Sequence, residues 1–141
     1  YVIILIVEKR QSVVIINKIN MATLKPTLSL SSSDATSDSL SFSVTDTLTI
    51  ASSGNVGLSR VTITTADNQE LVDEATSGVF YFYAKNTDDT NFVILQTTAS
   101  VQYARLSPGE FCFFPVNDGN GLEARADTAS CILEYAYWKK G

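Results

Sequence analysis

The sequence predicts an all-β fold, a two-sheet antiparallel sandwich of about eight strands, jelly-roll or immunoglobulin-like. Short apolar runs recur at close, regular intervals with turn residues between them. No stretch sustains a helical period. The composition points the same way: 45% hydrophobic, 18% charged and rich in Ser and Thr, which suits strand surfaces better than helical ones. A chain of 141 residues is one domain. At this size it buries roughly two-thirds of its unfolded surface and needs neither disulfide nor metal to hold a core.

Residues 1–20 stand apart. Twelve of the twenty are Ile, Val, Leu or Tyr, with charges of +3 and −1, against +7 and −14 from Met21 onward. This segment reads as translated upstream sequence in an over-extended frame, with Met21 as the start. The rival reading is an arm that donates a strand to a neighbouring subunit. Its apolar run Tyr1–Val7 is too short to span a bilayer. Lys9 and Arg10 follow that run, whereas a secretory signal carries its basic residues first.

Residues 21–39 are expected to form an N-terminal arm and 40–141 the sandwich domain. Pro26 precedes a short alternating piece, and the Ser/Asp-rich run 31–39 has no apolar period and reads as a solvated loop. The clearest strand follows. Leu40, Phe42, Val44, Leu48 and Ile50 fall on even positions and Ser or Thr on odd ones, which puts every apolar side chain on one face. Asp46 interrupts that face and predicts a bulge or bend. Residues 60–65 form a shorter strand with Val61 and Ile63 inward, and 70–72 another within a polar, acidic stretch. Residues 79–85 (VFYFYAK) are apolar on both faces, the pattern of a central strand covered on both sides. Strands follow at 91–96 and 100–106. Ser107-Pro108-Gly109-Glu110 has the type II turn chemistry, with proline at the first central position and glycine at the second. Strands at 111–116, 122–126 and 131–138 close the chain.

The net charge is −5 and the pI about 4.5, which argues against nucleic acid as a partner, since such binders need a basic patch. Histidine is absent from the chain, so neither Ser-His-Asp nor Cys-His catalysis can be built within it. Gly119-Asn120-Gly121-Leu122-Glu123-Ala124 fits GxGxxA, but its flanks are short strands rather than strand and helix, and it reads as a hairpin turn. Asp118, Asn120, Glu123 and Asp127, or Asp88-Asp89, could suggest calcium, yet the spacing that supplies six to eight oxygens is missing. Glu70, Asp73, Glu74, Glu110 and Glu134 are not placed as a carboxylate pair by sequence. No cofactor and no metal is expected. Cys112 and Cys131 read as two buried thiols; one inter-strand disulfide is the sharper alternative. Arg105 and Arg125 read as paired or surface cations, with an inter-subunit ion pair as the alternative.

The aromatics exceed what one core absorbs. Phe80, Phe82, Phe111, Phe113 and Leu133 are the expected core. Phe80, Phe82, Phe111, Phe113, Tyr135, Tyr137 and Trp138 are together the interface candidates, because large exposed apolar patches mark contact sites. Tyr135, Tyr137, Trp138 and the 117–121 loop are also where a glycan would be sought.

The segment Tyr103-Ala104-Arg105-Leu106-Ser107-Pro108-Gly109-Glu110-Phe111 carries a resemblance. With Phe113-Phe114-Pro115-Val116 and the closing residues 129–137, it resembles small all-β virion proteins of tailed bacteriophages, marine ones in particular. The opening Met21-Ala22-Thr23-Leu24, with its Ser/Thr/Asp-rich sequel, has the same style. The resemblance spans roughly residues 79–138 and brings no catalytic residue. It implies a non-enzymatic structural subunit located on the virion: capsid decoration (cement) first, a tail or fibre component next. Implied partners are the chain itself, as a homo-oligomer such as a trimer, and a major capsid or tail protein, with neither nucleic acid nor membrane. A glycan-binding module for host attachment is the competing reading.

Overall fold

The computed structural model describes residues 21–67 and 69–141, together with the backbone of residues 2–3 and 16–17. The described residues form strands without helices. Short strands β1 (Val2–Ile3) and β2 (Ile16–Asn17) pair antiparallel. The expectations for the rest of the first twenty residues lie outside the described residues. Then come β3 (Ala22–Leu24), β4 (Thr27–Ser32), β5 (Leu40–Thr45), β6 (Leu48–Ile50), β7 (Val56–Ile63), β8 (Gln69–Val72) and β9 (Phe80–Asn86). The chain ends with β10 (Val93–Gln96), β11 (Gln102–Leu106), β12 (Phe111–Val116), β13 (Leu122–Ala126) and β14 (Cys131–Lys139).

Two four-stranded antiparallel sheets make the sandwich, in the orders β12-β9-β14-β7 and β11-β10-β13-β8. The pairing is nested. β7 pairs β14, β8 pairs β13, β9 pairs β12 and β10 pairs β11. The added pairs β9–β14 and β10–β13 roll this eight-stranded ribbon into two sheets. That order is the jelly roll. The immunoglobulin-like alternative is excluded, because there the first two strands share a sheet, whereas here β7 and β8 lie in opposite sheets.

The core lies between the sheets. Ile63, Phe80, Phe82, Ala84, Val93, Leu95, Ala124, Ala126 and Leu133 are fully buried there. β9 is central as expected, hydrogen-bonded on both edges. Its inward residues are Phe80, Phe82, Ala84 and Asn86; Tyr81, Tyr83 and Lys85 lie on the opposite face by the strand period. Asn86 is a buried polar anchor. Its Nδ2 donates to the carbonyls of Asn91 (2.8 Å) and Leu106 (3.0 Å), and its Oδ1 accepts from the Asp88 N–H (3.0 Å). Every hydrogen-bonding direction of the amide plane but one is used, which removes the cost of burying it.

The Pro108–Gly109 turn forms as its chemistry demands. The Glu110 N–H donates to the Ser107 carbonyl at 3.0 Å, and Gly109 takes φ +77°. The turn at 117–121 is not a hairpin. It joins β12 to β13, which sit in opposite sheets, so it is an inter-sheet crossing.

The largest correction concerns residues 22–50. The expected arm and the expected first strand of the sandwich are the two halves of one long hairpin. β3 pairs β6 and β4 pairs β5, around a loop at 33–39. The break falls at Asp46-Thr47 opposite Lys25-Pro26, where the Asp46 N–H reaches the Pro26 carbonyl at 3.2 Å. The base is tied to the end of β14: Ile50 bridges Lys140, the Ala51 N–H donates to Lys139 (2.9 Å) and the Gly141 N–H to Thr49 (3.0 Å). Ile50 is buried there, whereas Phe42 and Val44 remain 45% and 55% exposed. The period did put the apolar residues on one face. Among the described residues, however, β4 and β5 pair only with each other, and the distal part of that face stays uncovered.

Candidate functional site

The site is built from the outer face of one sheet and the inner face of the hairpin. In β12, Cys112, Phe114 and Val116 turn toward the second sheet, so Phe111, Phe113 and Pro115 turn outward. Phe111 is 62% and Phe113 38% exposed. Their expected place in the core is therefore corrected: strand parity puts them on the far side from Phe114, which packs against the core. Cross-strand pairing places Phe113 beside Tyr83 and Pro115 beside Tyr81. The Tyr81 and Phe113 rings stack at 6.1 Å with an interplanar angle of 9°, an offset geometry that favours aromatic pairs. This is an aromatic platform on an edge strand, since among the described residues β12 pairs only with β9.

Facing it is the hairpin. Leu28 lies opposite Val44 and Leu30 opposite Phe42, and all four are exposed. The other face is hydroxylated: Thr27 and Thr45 share a hydrogen bond at 2.9 Å, and the Ser29 hydroxyl donates to that of Ser43 at 2.9 Å. Neither β4 nor β5 contains a charged residue. Between ribbon and platform lies an open apolar groove of about 480 Å³, bounded by Thr27 and Leu28 on one side and Phe111, Cys112 and Phe113 on the other. It continues into a smaller space of about 270 Å³ bounded by Val44, Leu48, Tyr81 and Pro115. Exposed apolar surface of this kind marks sites of contact with other molecules.

The remaining interface candidates are elsewhere. Phe80 and Phe82 are sealed in the core and cannot meet a partner, which corrects that assignment. Tyr135 and Tyr137 point inward and pack against the core, Tyr137 tilted on Phe80 at 5.7 Å between centroids. They are thereby removed as a sugar platform. Trp138 lies opposite Tyr81 on the outer face and is half-buried. Arg60 and Glu134 close that face with an ion pair at 3.2 Å, and the Tyr83 hydroxyl sits 3.5 Å from the same carboxylate. Burial first, and then Glu134, push the Tyr83 phenol above its usual range.

Five of the acidic groups singled out in the sequence accept hydrogen bonds in turns and loops. The Asp88 carboxylate accepts the N–H groups of Asn91 (2.6 Å) and Thr90 (2.8 Å), which hold its pKa below the usual range. Asp118 accepts the Gly78 N–H. Asp73 accepts the Ala75 N–H (2.8 Å), Glu74 the Thr98 hydroxyl (2.8 Å) and Glu110 the Ser107 N–H (2.7 Å). These are turn and loop contacts. Gln96 and Glu123 form a buried pair, with Gln96 Nε2 3.4 Å from Glu123 and Gln96 Oε1 without a partner among the described residues. One amide and one carboxylate fall short of the six to eight oxygens calcium takes.

Arg105 lies 3.7 Å over the Phe92 ring. Arg125 Nε lies 3.0 Å from Asp67 Oδ1, an ion pair by distance whose N–H is not aimed at the oxygen. Both cysteines are free. β9 runs between their strands and Cys131 lies four residues along β14 from the position level with Cys112, so the Cα atoms are more than two strand spacings apart, over roughly 10 Å, beyond the reach of a disulfide. Burial pushes the Cys112 thiol up to about 11.

Sequence reasoning read residues 22–39 as a contact arm but missed their pairing with 40–50 into a hairpin. The signal was available: two uncharged, strictly alternating runs flank a polar loop, the pattern of a ribbon that pairs with itself. No family model, curated protein or solved structure matches this chain, so the site rests on its own geometry.

Proposed function

We propose that the protein is a non-enzymatic structural subunit of a bacteriophage virion, of the capsid-decoration (cement) type, working by protein docking rather than chemistry. The observation that carries this reading is the exposed aromatic platform of Phe111 and Phe113 facing an uncharged apolar ribbon across an open groove. A contiguous apolar surface of this kind is often a functional contact site. The jelly-roll order adds support, since capsid domains share it. Lectin domains share it too, but two of the three aromatics expected to hold a sugar face the core. A tail or fibre component is the next reading, as it would use the same docking surface. The resemblance over roughly residues 79–138 to tailed-phage virion proteins is what selects a virion among assemblies.

An antibody against the protein, applied to gradient-purified phage particles from the source sample, tests this. The expected result is co-sedimentation at constant stoichiometry with the major capsid protein. Recovery only in the particle-free fraction overturns the proposal.

A further inference from the structure

We infer that the groove is a self-association site. The partner is a second copy of this chain, whose β4–β5 ribbon lies on the Phe111–Phe113 platform while the first copy's ribbon lies on its platform in return. This rests on the reading of the protein as a structural subunit and names that subunit's nearest partner.

Three observations lead to a second copy. First, ribbon and platform are both apolar, both exposed and flank one groove of the same chain. A single two-fold axis through that groove therefore satisfies both, because an isologous contact needs residue i to meet j and j to meet i. Second, the ribbon edges are unprotected. Natural edge strands carry charge, proline or a bulge to prevent pairing. β4 and β5 carry none of these, and their register is continuous from Thr27↔Thr45 to Ser32↔Leu40. Third, the area is sufficient. Leu28, Leu30, Phe42, Val44, Phe111 and Phe113 are 38–62% exposed, which leaves on the order of 500 Å² of apolar surface per copy, at the upper end for a monomer's largest patch. A reciprocal pair covers on the order of 1,000 Å² before its Ser/Thr rim is added, the level a specific interface requires.

The test is a charge swap on the full chain, read by sedimentation equilibrium. Wild type is expected at twice 15.3 kDa. Phe42→Lys places a charge on the ribbon and Phe111→Glu one on the platform. Each alone places its charge in both contacts of the two-fold pair and is expected to weaken dimerisation at least roughly tenfold. An equimolar mixture of the two is expected to recover dimers, since one of the two contacts then pairs Lys with Glu and the other is unaltered. Circular dichroism melting checks that each variant is folded; Val44→Lys and Phe113→Glu form the second pair if either of the first is not. A wild-type monomer at millimolar concentration overturns the inference, as does an oligomer that neither single variant shifts or a mixture that fails to recover. A dimer that stays off particles keeps this inference and overturns the virion reading. A strict monomer that binds particles does the reverse.

Discussion

The sandwich and the β4–β5 ribbon are made of the same unit, an antiparallel strand pair with an apolar face. In the sandwich that face meets another sheet, and Phe82, Leu95 and Leu133 have no exposed surface left. In the ribbon only Leu28 and Val44 of that face border an open groove, and Phe42, outside its lining, keeps 45% of its surface in solvent. The ribbon base, held to β14 through Ile50 and Lys140, shows where burial stops. Beyond Pro26 and Asp46 the two strands hydrogen-bond chiefly to each other. An isolated two-stranded ribbon is marginal in water. The comparison teaches that strand pairing and face burial are separate achievements, and that the second depends on having a layer to pack against.

The contrast is sharpest for two phenylalanines. Phe82→Ala opens a cavity between the sheets and is expected to cost about 3–5 kcal/mol. Phe42→Ala removes a half-exposed ring and is expected to change monomer stability by less than about 0.5 kcal/mol. Urea unfolding of both variants at a concentration that keeps the protein monomeric checks this. Comparable losses would mean the ribbon is packed as tightly as the core and would break the comparison.

A smaller effect is expected at the polar anchor of the sandwich. Asn86→Ala leaves the buried Leu106 carbonyl and its neighbour at Asn91 without their donor, an expected loss of roughly 2–3 kcal/mol. The ribbon has no equivalent: its side-chain bonds, Thr27–Thr45 and Ser29–Ser43, are exposed, so Ser29→Ala is expected to be nearly silent in the same urea titration.

The smallest expected effect is a pH dependence. The Asn91 and Thr90 N–H groups hold the Asp88 pKa below its ordinary 3.8. A folded-state pKa below the unfolded one stabilises above the unfolded value, and the contribution is lost as pH falls through the depressed value. Wild type and Asp88→Asn should therefore differ in melting temperature at neutral pH and converge below pH 3.8. A constant offset across that range would mean that the carboxylate's charge plays no part.

Much of the fold was legible from residues alone. Alternation placed Val61, Ile63, Leu122, Ala124, Ala126 and Leu133 on faces that are buried, and the double-sided apolarity of residues 79–85 marked the central strand. Half of the site was legible as well, since Phe111 and Phe113 stood among the excess aromatics. Their exposure was not, because a period of two says which residues share a face and is silent on which face meets solvent. The same limit left open whether the face shared by Phe42 and Val44 is covered. Asn86 gave no signal, as its three partners come from Asp88, Asn91 and Leu106, set by turns and sheet packing.

By itself the sequence determined the all-β class, the strand positions, the type II turn at Pro108–Gly109 and the two-faced character of each strand. These follow from local sterics and side-chain periodicity. Only the tertiary structure decided that β7 pairs with β14, that residues 22–50 form one hairpin and that a groove separates it from β12. Those outcomes depend on contacts between residues far apart in the chain, where partner choice is set by which surfaces can be covered together.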